Sequence, residues 1–289
     1  MSKLALELVV TFAFASSLPA QQSEDDRKWN QPLKPFRVIG NVYYVGANEV
    51  TSFLITGSAG HVLLDSGFAE TASQIQQNIE ALGFHLGDVK ILLNGQAHFD
   101  HAGGLSKLKE LTGAQLIASA ADAEALARGG KGDFAFGDRL TWDPVKADRI
   151  INDGESISLG DTKMTAHLTP GHTKGCTTWT MSVEENGRNL RVVFLGGATI
   201  PGYKLVGNEQ YPGIAEDYAR TFALLKRLPC DVFLGAHGSY FGLEKKLPRL
   251  GAKPNPFIDP DGYRQYVEKF ERAFREQLER EKREASPAK

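Results

Sequence analysis

The chain has 289 residues, 42% of them hydrophobic, enough for one large core or two small ones. A formal net charge of −2, with no basic stripe interleaved with aromatics, argues against nucleic acid or an anionic membrane surface as the main partner. No segment stays apolar for long enough to span a bilayer.

Residues 1–20 read as an export signal that directs the protein to the periplasm, leaving 21–289 as a single domain. Lys3 supplies the positive charge, residues 4–15 are mostly apolar despite Glu7, and Ala13-Phe14-Ala15 and Leu18-Pro19-Ala20 offer cleavage sites. After a polar linker, residues 36–45 and 52–56 are rich in Val, Ile, Phe and Tyr and are expected as strands, punctuated at Asn41 and Gly57-Ser58. A further strand starts at His61 and ends at the Asp65-Ser66-Gly67 turn. The spacing of Ile75, Ile79 and Leu82 predicts a helix over 71–82. A fully apolar strand over 89–93 leads into a polar run, followed by a helix over 103–111 and a strand at 116–118. The second half repeats the theme, with strands at 150–151, 156–159, 164–168, 176–183 and 190–195. A helix follows over 217–228, with Tyr218, Phe222 and Leu225 in phase, and then a strand at 232–234. The charged segment 261–284 carries Tyr263, Tyr266, Val267, Phe270 and Phe274 at helical spacing, an amphipathic helix with a solvated outer face. This order predicts an α/β fold: two facing sheets with helices outside, an αβ/βα sandwich.

The chemistry gathers after strands. Gln96-Ala97-His98-Phe99-Asp100-His101 places two imidazoles, a carboxylate and an amide in six residues. Such side chains hold zinc or a similar divalent metal. Residues two apart in an extended segment point the same way, so Gln96 and His98 share a direction. Asp100 and His101 come where the chain turns into a helix and can face a second metal. His172, in Pro170-Gly171-His172-Thr173, and His237, in Gly235-Ala236-His237-Gly238, each follow an apolar run and sit beside glycine. The six residues together read as a two-metal hydrolytic centre. His61 and His85 lack a partner motif and are expected to be structural. His167, just before Thr169-Pro170-Gly171, is open between a structural role and one backing a ligand. Cys176 and Cys230 could pair in an exported protein, but two buried thiols are expected.

The run from Gln96 to His101 resembles the His-x-His-x-Asp-His signature of the metallo-β-lactamase superfamily, with Gln in the first place. Pro170-Gly171-His172-Thr173-Lys174-Gly175 and Gly235-Ala236-His237-Gly238-Ser239-Tyr240-Phe241 resemble later motifs of that superfamily. Pro201-Gly202-Tyr203-Lys204-Leu205-Val206-Gly207-Asn208 and Ala252-Lys253-Pro254-Asn255-Pro256-Phe257 resemble the class B β-lactamases of subclass three. Gly197 stands where glyoxalase II, lactonases and related phosphodiesterases carry a bridging aspartate. The resemblance implies the four-layer αβ/βα sandwich and zinc-dependent hydrolysis of the β-lactam amide bond. It implies up to two Zn2+ ions, a small-molecule β-lactam substrate and a monomeric protein. Gln96, His98 and His172 would hold one zinc, and Asp100, His101 and His237 the other. A neutral amide oxygen is a poorer zinc ligand than imidazole, so the first site is expected to be the weaker. Asp100 would orient the attacking water, Tyr203 would stabilise the oxyanion, and Thr199 and Tyr203 would meet the substrate. Asp65 resembles a carboxylate that orients a ligand, and Gly129-Gly130-Lys131-Gly132-Asp133 a loop over the cleft. Two alternatives stand beside this. One is another hydrolase of the scaffold, a lactonase or phosphodiesterase, against which Gly197 speaks. The other is a binding protein that lost catalysis through Gln96, against which Asp100, His101 and His237 speak.

Overall fold

The computed structural model describes residues 23–286, so the expected export segment lies outside the described residues. A short helix, α1 (Glu24–Trp29), is closed at its start by a reciprocal pair of hydrogen bonds between Ser23 and Asp26. The first sheet follows in chain order: β1 (Phe36–Ile39), β2 (Val42–Tyr44), β3 (Phe53–Ile55), β4 (His61–Leu64), β5 (Val89–Leu93), β6 (Gln115–Ser119) and β7 (Arg149–Ile151). It is antiparallel from β1 to β4 and parallel from β4 to β7. The crossovers carry α2 (Thr71–Ala81), α3 (Phe99–Ala102), α4 (Leu105–Thr112) and α5 (Ala120–Arg128). The second sheet comprises β8 (Ser156–Leu159), β9 (Thr162–Leu168), β10 (Thr177–Glu185), β11 (Arg188–Leu195) and β12 (Val232–Gly235), ordered β12-β11-β10-β9-β8. With it come α6 (Ile214–Leu225), α7 (Leu243–Lys246) and α8 (Pro260–Ala285).

The expected sandwich is present, with two corrections. The strand at 150–151 does not open the second sheet. It is β7, paired parallel to β6 at the edge of the first. The helix expected over 103–111 starts later, at Leu105, as α4, and a separate short helix, α3, precedes it across Gly103-Gly104. Added Cβ atoms at these glycines would lie 2.5 Å from the Phe99 carbonyl and 2.6 Å from the Ser66 carbonyl, so larger residues do not fit.

β5 is apolar along most of its length because it is covered on both sides. Leu92 packs outward in the cluster of Ile75, Ile79, Leu108 and Leu116, under α2 and α4. Leu93 packs inward with Phe53, Ile117, Trp179 and Phe194, between the sheets. On the far side, α6 and α8 cover the second sheet. Tyr263, Tyr266, Val267 and Phe274 of α8 are buried and Phe270 packs against them, as their spacing predicts. Among the described residues no helix is long and apolar enough to cross a membrane. Cys176 and Cys230 are buried and free, so the optional disulfide is not formed.

Candidate metal centre

The polar run leaves β5 at Leu93 and is held by groups from both sheets. Asp65, just past β4, accepts a hydrogen bond from the Gly95 N–H at 2.7 Å and faces the Asn94 amide at 3.5 Å. It does so from a left-handed backbone conformation, φ +60°, which is uncommon outside glycine. From the second sheet, Trp179 Nε1 donates to the Asn94 carbonyl at 3.1 Å and Thr177 N–H to the Gly95 carbonyl at 2.8 Å. Asp65 therefore positions the backbone ahead of Gln96, and among the described residues no hydrogen bond links it to a histidine. Burial pushes its carboxyl up to about 6.

Three residues of the predicted set converge. His101 Nε2 lies 3.1 Å from His237 Nε2 and 3.2 Å from Asp100 Oδ2, and His237 Nε2 lies 3.5 Å from the same oxygen. A tetrahedral ion with ligand bonds of 2.0–2.1 Å has ligands about 3.3 Å apart along each edge. The three atoms thus have the spacing of one face of a zinc site. Burial opposes the charge on Asp100, but His101, His237 and His98 outweigh it and hold the carboxyl far below its usual range. Burial, with His101 beside it, pulls His237 down to about 3, leaving a neutral imidazole with a lone pair to offer. Glu49 Oε1 sits 3.7 Å from His237 Nδ1, and the Trp29 ring packs edge-on against His237 at 5.3 Å.

The other three predicted ligands adjoin. His98 and His172 pack with ring centroids 4.8 Å apart. Gln96 Nε2 donates to the Gly196 carbonyl at 3.0 Å, which leaves Oε1 buried with no partner. Burial of an acceptor without a donor is costly, and a cation would satisfy it. His172 Nδ1 is bonded to the Thr199 carbonyl at 2.9 Å, fixing the ring and leaving Nε2 available. Burial pulls His172 down to about 4 and His98 well below its usual value.

The residues expected to meet substrate are partly engaged. The Thr199 carbonyl also accepts from Tyr218 Oη at 2.7 Å, and Thr199 Oγ1 lies 3.3 Å from His172 Nδ1. Tyr203 Oη donates to the His172 carbonyl at 3.2 Å. Burial keeps this phenol protonated. The glycine-rich segment after α5 leads into Phe134 and Phe136, which pack on Tyr203, with Phe136 also 5.4 Å from the His98 ring. These two rings, Arg139, Tyr203 and Lys204 line an open cavity of about 470 Å³. His167 is outside the cluster, with Nε2 at 2.9 Å from Thr180 Oγ1. His61 is buried at the start of β4 against Phe84, and His85 is exposed.

The sequence reading passed over Asp122. It is buried on α5 and accepts hydrogen bonds from Ala97 N–H, Gly175 N–H and Thr173 Oγ1 at 2.9–3.0 Å. Burial pushes its carboxyl up to about 7 against the pull of these donors. Ser119 and Asp122, three apart before an alanine-rich stretch, form a helix-start signal that could have flagged α5.

The family model described as the metallo-beta-lactamase superfamily matches residues 45–237. The native FEZ-1 metallo-β-lactamase from Legionella gormanii superposes with a TM-score of 0.86 at 40% identity, covering 88% of this chain and 98% of that one. BJP-1, a subclass B3 metallo-β-lactamase of Bradyrhizobium japonicum, gives 0.85 at 37% identity, covering 90% and 99%. Among curated proteins, the acyl-coenzyme A thioesterase MBLAC2 of Homo sapiens is 25% identical over 70% of this chain and 78% of its own length. With its ligand-type residues clustered at the strand ends between two sheets, the chain belongs to the metallo-β-lactamase superfamily.

Proposed function

We propose that the protein is a zinc-dependent β-lactamase. The observation that carries this reading is the packing of Gly197. A Cβ there would lie 2.7 Å from His172 Cδ2, so a bridging carboxylate at this position would force the His172 ring to shift. Asp100 is then the only carboxylate among the six proposed ligands, which are Gln96, His98 and His172 for one zinc and Asp100, His101 and His237 for the other. Likeness to FEZ-1 and BJP-1 over nearly their whole lengths supports the same reading.

Zinc held by these residues would supply a Lewis acid and lower the pKa of water towards 7. The chain's own groups do the rest. Asp100 stays ionised, so it accepts a hydrogen bond from the attacking water and orients it. Arg139 and Lys204 offer positive charge to a substrate carboxylate in the cavity. Phe134 and Phe136 cover its apolar body and exclude bulk water. Tyr203 is a neutral donor that reaches a developing oxyanion by releasing the His172 carbonyl.

The test is turnover of nitrocefin, a homoserine lactone, a phosphodiester and an acyl thioester, each with and without chelator. Zinc-dependent opening of nitrocefin, abolished by metal removal and restored by zinc, is expected. Activity that survives complete metal removal, or turnover of the thioester alone, would overturn the reading.

A further inference from the structure

We propose that Asp122 is a positioning residue that joins the two chain segments of the Gln96-His98-His172 set and holds them in register. This rests on the metal reading above and deepens it. The three residues come from two loops, one after β5 and one after β9, with no covalent link closer than the whole intervening chain. Asp122 Oδ2 accepts from Ala97 N–H at 2.9 Å, between Gln96 and His98, and from Thr173 Oγ1 at 3.0 Å, next to His172. Asp122 Oδ1 accepts from Gly175 N–H at 2.9 Å. Ser119, which caps the same helix, donates through Oγ to the Gly175 carbonyl at 2.6 Å.

The contact is close enough to dictate sequence. A Cβ at Gly175 would lie 2.2 Å from Ser119 Oγ and 2.4 Å from the Asp122 N–H nitrogen. Asp122 is 2% exposed, so water cannot take over its acceptor role. The Asp100-His101-His237 set has no direct hydrogen bond to it among those of the described residues. The clamp therefore acts on one site and spares the other. That asymmetry matters where one ligand is the neutral Gln96, because a weak ligand set depends more on being pre-arranged.

The substitution Asp122→Asn keeps the volume but has a single acceptor oxygen. Either the Ala97–Thr173 pair or Gly175 then faces an amide donor. The experiment is zinc titration of metal-free protein by calorimetry, in the wild-type and Gln96→His backgrounds, with melting temperature of the metal-free forms read alongside. Asp122→Asn is expected to weaken zinc binding at the Gln96 site about 10–100-fold and to leave the Asp100 site within twofold. Equal loss at both sites, or loss at neither, overturns the clamp. Should Asp122→Asn fail to fold, Thr173→Val removes one of the three bonds and is read in the same way, with a smaller selective loss expected. Failure of both parent proteins to bind zinc would instead overturn the metal reading. One zinc only in the Gln96→His parent would show that these residues build no first site.

Discussion

At Gln96 the first proposed metal set has an amide in place of the imidazole that the superfamily signature carries. Its Nε2 is committed to the Gly196 carbonyl, and only the oxygen faces inward. The set is then neutral, whereas Asp100 brings a full negative charge to the other. The Asp100 site should fill first, and Gln96→His should raise affinity at its own site about tenfold or more, since imidazole is the better donor. Calorimetric zinc titration of both proteins checks this, and two equal, tight sites in both would contradict it. The proposed ligands were legible in the sequence because their types and spacing are local, packed into one six-residue run and two glycine-flanked histidines. Asp122, Glu49 and Trp29 were not, because each acts on residues distant in the chain. Thr199 and Tyr203 stood out as candidates, but their bonds to His172 depend on how the loop after β11 folds back.

Among the elements, α8 does more than cover the second sheet. Glu281 Oε2 accepts from Leu205 and Val206 N–H at 2.7 and 2.9 Å, and Gln277 Nε2 donates to the Tyr203 carbonyl at 2.6 Å. The helix thus fixes the loop that carries Tyr203 and Lys204 into the cavity. Glu281→Ala should raise KM for nitrocefin several-fold, change kcat little and cost about 1 kcal/mol of stability. A fall in kcat with KM unchanged would contradict this. A second pin joins β11 to the start of β12, where Arg191 grips Asp231 with Nε and Nη2 at 2.7 and 2.8 Å. That hydrogen bonding holds Asp231 down at about 2. A depressed carboxyl contributes stability above its unfolded pKa of about 3.9 and loses it as pH falls towards 2. Asp231→Asn should therefore flatten the acid limb of the stability curve between about pH 4 and 2, and urea unfolding across that range checks it. Most strands and the three long helices α2, α6 and α8 could be read from apolar patterning. The membership of β7 in the first sheet could not, since pairing partners are set by non-local packing. Nor could α5, whose alanines give a weak periodic signal.

For the whole molecule, the position of the centre sets what metal removal does. Four of the six proposed ligands follow β5 of the first sheet, while His172 and His237 follow β9 and β12 of the second. Zinc there would bridge the sheets. The sheets already share a core that runs from Leu93 and Phe53 to Trp179 and Phe194, so the metal-free protein should stay folded and melt in one transition. Export to the periplasm, with residues 1–15 or 1–20 removed, would place that folding outside the cytoplasm. Mass spectrometry of protein from its native host decides it, and an intact N-terminus on cytoplasmic protein would refute it. Binding only to the folded state adds about 2.7 kcal/mol per site at a hundredfold excess of zinc over Kd. In a domain of this size that is a rise of about 5–10 °C in Tm. The dependence should be carried mainly by the Asp100 site, where the ligand set is charged and its atoms are already 3.1–3.5 Å apart. Chelator should lower the wild-type Tm by that amount, and zinc should restore it. In Asp100→Asn most of the zinc response should vanish while the metal-free Tm stays close to wild type. An Asp100→Asn protein that still gains the full increment from zinc would show that the bridging metal sits elsewhere.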